Sequence, residues 1–208
     1  MAYSNFTLAQ VMHDFGLTAG TAAELFPEVP PAPLSHETAA ILRRNVPLAL
    51  LIGNERARSE LIVAPVLADL WERTGRRISL YSGAALDVNP DEGLNGVCDY
   101  LIGRPPQLPD ISPPFLVVVE AKRDDIPGGY GQCAAAMVAA LQVNAREKTG
   151  VGTVFGCVTT GSLWRFLRLT GRHLDIDLTE YTLTQADRVL GVLLHMVGHN
   201  PTAPAAAA

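Results

Sequence analysis

Residues 115–122 read FLVVVEAK, a run of five apolar residues followed by an acid, a small residue and a lysine. The apolar run is typical of a strand that is buried on both faces. Successive side chains of a strand point to opposite faces, so Glu120 and Lys122 share one face at the strand's end. Lys122 is one of only two lysines, whereas the chain has fourteen arginines. Lysine carries a compact charge, and its pKa can be tuned by the surroundings, so its use at this position favours a chemical role for Lys122.

The composition is that of a globular protein. The chain has 208 residues, of which 48% are hydrophobic and 18% charged, which is enough to bury a core in one domain. No apolar run is long enough to span a membrane, and the first residues lack the pattern of a secretion signal. The cysteines Cys98, Cys133 and Cys157 form no CxxC pair, which predicts buried free thiols in a reducing cytoplasm.

The net charge of −5 argues against a protein that binds nucleic acid over its whole surface. It does not exclude a local nucleic-acid site, because local charge and bound metal ions decide such binding.

The patterning predicts alternating helices and strands. The predicted helices span 6–15, 35–44, 54–74, 130–148 and 183–198, and the predicted strands span 78–88, 97–102, 115–120, 151–159, 163–169 and 174–178. Pro65 is expected to kink the third helix, and the stretch 127–129 is expected to be a flexible break. The strand before helix 130–148 and the strand after it are expected to be parallel. Residues 201–208 are expected to form a disordered tail.

Asp99 lies in the otherwise apolar segment 97–102. Strands that follow each other in sequence usually pair, so Asp99 is expected near Glu120. Two carboxylates on neighbouring strands can hold one hard cation such as Mg²⁺. Lys122 beside them could orient or deprotonate a metal-bound water, or stabilise negative charge on a phosphate.

Glu60 is the fourth unusual residue. Helical spacing places it on one stripe with four apolar residues, Ala57, Ala64, Leu67 and Trp71. A carboxylate on a core-facing stripe is costly unless it is paired or bound to a metal. Glu55 needs no such explanation, because an acid at a helix start is favourable against the helix dipole.

The order of these residues along the chain resembles that of the PD-(D/E)XK nuclease superfamily. The matching residues are Glu60 on a helix, Asp99 on a strand, Glu120-Ala121-Lys122 on the next strand and Gln132 on the following helix. The resemblance covers about residues 54–170 and implies a core of helix, three strands, helix and strand. It implies that Asp99 and Glu120 bind a divalent metal, that Lys122 assists the attacking water and that Glu60 supports the metal shell. Gln132 matches the glutamine of a further motif found in RecB-type nucleases.

Two positions depart from the family pattern. Cys98 stands where the motif has proline, and Ala136 stands where the RecB-type motif has tyrosine. Plainer roles are open for each residue: a solvated ion pair for Glu120 and Lys122, a hydrogen-bonded acid for Asp99, and a first-turn polar residue for Gln132. A different helix register would take Glu60 off the core face. Arginines in the segments 43–44, 56–58 and 76–77 could contact phosphates or form solvated faces.

We therefore expect an α/β fold, a three-layer α/β/α sandwich with a restriction-endonuclease-like core, a mixed central sheet and extra terminal helices. A single domain is expected over residues 1–200. The expected function is Mg²⁺- or Mn²⁺-dependent hydrolysis of phosphodiester bonds in nucleic acid, with DNA as the expected substrate, by an endonuclease or exonuclease. The alternative is a catalytically degenerate nuclease fold that acts as a binding module. A homodimer would suit a double-strand cutter.

Overall fold

The structure is a computed structural model that describes residues 2–22 and 24–198. The α-helices in this part of the chain are α1 (Leu8–Asp14), α2 (His36–Ile52), α3 (Glu55–Arg58), α4 (Ala64–Arg73), α5 (Ile126–Arg146) and α6 (Ala186–Met196). The strands described are β1 (Thr18–Ala22), β2 (Ser79–Ala85), β3 (Val97–Gly103), β4 (Phe115–Ala121), β5 (Thr153–Thr159), β6 (Leu163–Thr170), β7 (His173–Asp177) and β8 (Tyr181–Thr182).

The strands form one mixed sheet of eight strands, in the order β1-β7-β6-β5-β4-β3-β2, with β8 pairing to β6. Strands β2, β3 and β4 are antiparallel, whereas β4 and β5 are parallel and joined through α5. Every residue of β4 is buried, as its unbroken apolar run predicts. The predicted α/β class and mixed sheet are confirmed.

Helices cover both faces of this sheet. One apolar cluster joins α1 and α5 to side chains such as Leu101 and Val118. A second cluster joins α2, α4 and α6 to side chains of the opposite face, such as Val117 and Val119. The alternation of Val117, Val118 and Val119 between the two clusters is the period-two geometry of a strand. By the same alternation, Glu120 lies on the α5 face with Val118.

Helix α5 begins at Ile126, so the predicted break at 127–129 is wrong. Asp125 caps the helix by accepting a hydrogen bond from the Gly128 N–H at 2.9 Å, and Pro127 lies in the first turn, where no N–H is needed. The glycines serve close packing instead. A Cβ at Gly129 would lie 3.1 Å from the Lys122 Cγ, and one at Gly131 would overlap the Phe6 carbonyl oxygen.

Helix α2 is longer than predicted. It passes through Pro47 and ends only at Gly53, whose φ of 69° gives a left-handed cap. Strand β1 was not predicted at all. It pairs in parallel with β7, and its residues Thr18–Ala22 have little of the apolar alternation that marks a strand.

The predicted helix 54–74 is divided by a π-helical turn at Ser59–Val63. The Ala64 N–H bonds to the Ser59 carbonyl, five residues back. Pro65 has no N–H, and the Leu61 carbonyl instead accepts a bond from the Asn45 side chain at 3.3 Å. The extra residue in this turn shifts the helix register. The buried apolar residues of this turn and of α4 are Ile62, Val63, Val66, Leu67 and Leu70.

Glu60 therefore does not lie on the core face, and the prediction that placed it there is wrong. Its side chain is 58% exposed. The π-helical turn is the cause, because the stripe of Ala57, Glu60 and Ala64 assumes an uninterrupted α-helix.

All three cysteines are buried free thiols, as predicted. Within residues 2–22 and 24–198, no helix has both the length and the apolar character needed to cross a bilayer. The tail predicted at 201–208 lies outside the described residues.

Candidate metal centre

Asp99 and Glu120 lie opposite each other on antiparallel strands. The register pairs Tyr100 with Val119, so the next step along the ladder brings Asp99 against Glu120. At that step, Asp99 Oδ2 accepts the Ala121 N–H at 2.7 Å. The charge of Asp99 also acts on the Glu120 carboxyl. Two carboxylates therefore lie on neighbouring strands at the end of β4.

Lys122 completes a short polar chain across the crossover. Its Nζ donates to Glu120 Oε1 at 2.7 Å and to Gln132 Oε1 at 3.0 Å. The Lys122 backbone N–H donates to the Thr159 carbonyl at 2.8 Å, which continues the pairing with β5. The side chain of Lys122 runs against Gly129, where a Cβ would crowd it. The ammonium group is thus held between a strand and the first turns of α5.

Glu120 is nearly enclosed, since only 3% of its side chain is exposed. Burial, followed by the charge of Asp99, raises the pKa of Glu120 to about 8, although Lys122 opposes part of the rise. Without a cation at the site, the carboxyl therefore holds a proton near neutral pH. A divalent cation bound by these two acids would take the place of this proton and would offset the repulsion between the carboxylates.

Lys122 keeps its proton. Burial alone lowers the pKa of Lys122, but an ionised Glu120 outweighs this through its charge and its hydrogen bond, and the charges of Glu55 and Asp99 add to the rise above the ordinary value. A raised pKa makes Lys122 a poor base at neutral pH. Of the roles predicted for it, orienting a water or neutralising negative charge fits this environment, and removing a proton from a water does not.

The stability of the metal-free protein is expected to fall as pH rises towards 8. Between the ordinary pKa of a glutamate and the raised pKa of Glu120, the native state binds a proton that the unfolded state has released. The slope contributed by one such group is at most about 1.4 kcal/mol per pH unit. Chemical denaturation across pH 5–8.5, in a chelator, should show a flatter profile for Glu120→Gln than for the wild type. Equal profiles would contradict the raised pKa.

Glu60 lines the same cleft as Asp99 but is directed elsewhere. The cleft has a volume of about 350 Å³, and its walls include Glu55, Glu60, Asp99 and Tyr100. Glu60 Oε1 accepts a hydrogen bond from the Arg56 Nε at 2.7 Å. The structure thus brings Glu120, Lys122 and Gln132 into direct contact. Asp99 lies opposite Glu120 on the neighbouring strand, and Glu60 shares only the cleft with Asp99.

Two further residues of the site were not predicted. Glu55, explained from the sequence by the helix dipole alone, lies in the cleft, and its charge contributes to the raised pKa of Lys122. The Tyr100 hydroxyl donates to the Ser59 carbonyl at 3.0 Å and also lies 2.8 Å from the Ser59 hydroxyl. It thereby ties the π-helical turn to β3. A tyrosine beside Asp99 was the only sequence signal for it.

Several arginines suggested as phosphate contacts bind the protein itself. Arg58 donates to the Thr160 carbonyl and to Ser162, so it braces the β5–β6 turn. Arg76 pairs with Glu72, and Arg77 donates to the Thr74 carbonyl. Arg56 is the arginine of these segments that lines the cleft.

The donors at the cleft suit a hard cation. Asp99 and Glu120 supply carboxylate oxygens, and Mg²⁺ is usually held by one or two carboxylates, several waters and substrate phosphates. Among the described residues, no group of three or more His, Cys, Asp or Glu side chains is arranged to hold a metal ion.

No protein-family model matches this sequence, and no curated protein matches it either. What the cleft can do must be inferred from its own residues.

Proposed function

We propose that the protein is a metal-dependent nuclease that hydrolyses phosphodiester bonds in nucleic acid, with DNA as the expected substrate and Mg²⁺ or Mn²⁺ as the cofactor. The observation that carries this proposal is the buried Glu120, which lies opposite Asp99 on the neighbouring strand and pairs with Lys122 at 2.7 Å beside an open cleft. A buried carboxylate with a strongly raised pKa beside a cleft is typical of sites with chemical roles.

The order of elements supports the proposal. From α3 to β5 the chain runs through helix, three strands, helix and strand. This is the order that the resemblance to the PD-(D/E)XK superfamily implies, within a three-layer sandwich. Asp99 lies on β3 and Glu120 on β4, and Lys122 directly follows the last residue of β4, which agrees with the order that the motif implies. The buried free thiols suit a reducing compartment such as the cytoplasm.

Each residue then has a role. A metal ion, when bound, would polarise the scissile phosphate and acidify a water. Asp99 and Glu120 would hold that ion. Lys122 is fixed by Glu120 and Gln132, which leaves its remaining proton for the water or for a phosphate oxygen. Gln132 is a positioning residue, because it contacts Lys122 and not the reacting atoms.

Mn²⁺ is expected to stabilise the wild type and to leave the variants Asp99→Asn and Glu120→Gln unchanged. A ligand at a hundred times its dissociation constant stabilises the native state by about 2.7 kcal/mol. Thermal melts with and without Mn²⁺ would measure this difference, and Asp14→Asn, an exposed acid on α1, is the matched control. An equal Mn²⁺ response in all four proteins would refute the assigned ligands.

One observation favours a second candidate, a degenerate nuclease fold that binds a partner without cutting. Lys122 already pairs with Glu120 at 2.7 Å, which offsets part of the cost of burying the Glu120 carboxyl without an ion. In that case, Mn²⁺ would not stabilise the wild type. Asp99→Ala would raise its stability by removing a repelling acid.

A further inference from the structure

Glu60 lies in the cleft but is held by a neighbouring arginine. It lines the cleft with Asp99, yet its carboxylate is turned to Arg56. A third carboxylate is therefore present in the cleft but occupied by a cation of the protein.

The ion pair that occupies Glu60 is easily broken. The side chains of Arg56 and Glu60 are 85% and 58% exposed, and they stand one helical turn apart. Exposed pairs of this kind contribute little, because water screens them and two long side chains must be held in place. A competing anion at Arg56 could thus release Glu60 at small cost.

The natural competitor is the phosphate backbone of a nucleic acid. An arginine fork binds phosphate oxygens in a bidentate manner, and such charge-assisted bonds are stronger than an exposed arginine–glutamate pair. Arg56 lies in the wall of the cleft and points its guanidinium into solvent. It is thus placed to meet a substrate that enters the cleft.

From this geometry we infer that Arg56 couples nucleic-acid binding to metal binding: a backbone phosphate draws Arg56 away from Glu60, and the freed Glu60 becomes a third ligand beside Asp99. This inference rests on the proposed function and adds a regulating residue to that site. Arg56 is a positioning residue for Glu60 and a contact for the substrate. Because coupling between two binding events is reciprocal, bound metal also strengthens nucleic-acid binding.

Mn²⁺ titrations without nucleic acid test the inference. Arg56→Ala frees Glu60 permanently and is expected to tighten Mn²⁺ binding about twofold, the factor that corresponds to an exposed i,i+4 ion pair. The double variant Arg56→Ala/Glu60→Gln should return to the wild-type affinity. Arg76→Ala is the matched control, because Arg76 forms an equivalent exposed pair with Glu72 at 2.9 Å outside the walls of this cleft. It should leave Mn²⁺ binding unchanged.

A second measurement tests whether Arg56 contributes to nucleic-acid binding. Binding of a fluorescent single-stranded oligonucleotide in EDTA should weaken several-fold in Arg56→Ala and stay the same in Arg76→Ala. An unchanged Mn²⁺ affinity in Arg56→Ala would overturn the coupling, as would a gain that persists in the double variant, since that gain would come only from removing a positive charge. If no variant binds Mn²⁺ at all, the proposed function itself fails.

Discussion

Lys122→Ala is expected to lower the rate of nucleic-acid cleavage by about 10²- to 10⁴-fold, the usual contribution of one positioned acid–base or charge-stabilising group. Lys122 Nζ lies 2.7 Å from Glu120 and 3.0 Å from Gln132, so its loss empties the position next to Glu120, one of the two proposed metal ligands. Cleavage of plasmid and of single-stranded DNA in Mg²⁺, with enzyme in excess, measures the chemical step directly.

The fold should survive this change. Burial has already raised the pKa of Glu120 to about 8, so without Lys122 the carboxyl simply keeps its proton over a wider pH range. Circular dichroism should confirm the fold. Lys148→Ala, which removes the other lysine at an exposed position, is the control and should cut normally.

Lys122→Arg should not restore cleavage. Gly129 already packs closely against the Lys122 side chain, and the wider guanidinium does not fit that space. Full activity in Lys122→Ala would show that the lysine has no part in the reaction, whereas full activity in Lys122→Arg would show that a positive charge at this position is sufficient.

Gly131→Ala is expected to destabilise the protein by about 2 kcal/mol or more, which is the cost of overpacking against atoms that cannot move aside. A Cβ at Gly131 would overlap the backbone of Phe6 and Thr7, where the chain enters α1. Alanine favours a helix by about 1 kcal/mol over glycine, but this gain is smaller than a backbone clash that separates two elements. Urea denaturation gives the difference in free energy of unfolding.

Gly152→Ala is the matched control for this change. A Cβ at Gly152 meets nothing within 4 Å, and the backbone there is not left-handed. Its effect should therefore stay within about 0.5 kcal/mol of zero. If Gly131→Ala were as mild as Gly152→Ala, α5 could move away from the N-terminal segment without loss, and the close packing described for it would be incorrect.

The centre of the molecule was predictable because its signals are local. The apolar run of β4 predicts a buried strand. Strands adjacent in sequence tend to pair, and the pairing of β3 with β4 places Asp99 opposite Glu120. The period of two then places Lys122 beside Glu120. Helix α5 follows from its alanine-rich sequence, and the crossover carries Gln132 back over the strand end.

The predictions that failed depend on distant partners. Glu60 was misplaced because a π-helical turn forms where Pro65 lacks an N–H and Asn45, sixteen residues away, binds the Leu61 carbonyl. Strand β1 has little strand character of its own and exists because β7 offers an edge. Neither effect can be seen in a window of ten residues.

The pairing of β1 with β7 also sets an order of events during synthesis. Thr18 and His173, which pair across this junction, are 155 positions apart. Strand β1 leaves the ribosome long before the strand that will hold it, and it must wait unpaired until nearly the whole described chain has been made. The neighbouring strands β2 to β5, with α5 between β4 and β5, can assemble in the meantime because their partners are close in sequence. The first strand to be translated is thus among the last to be incorporated.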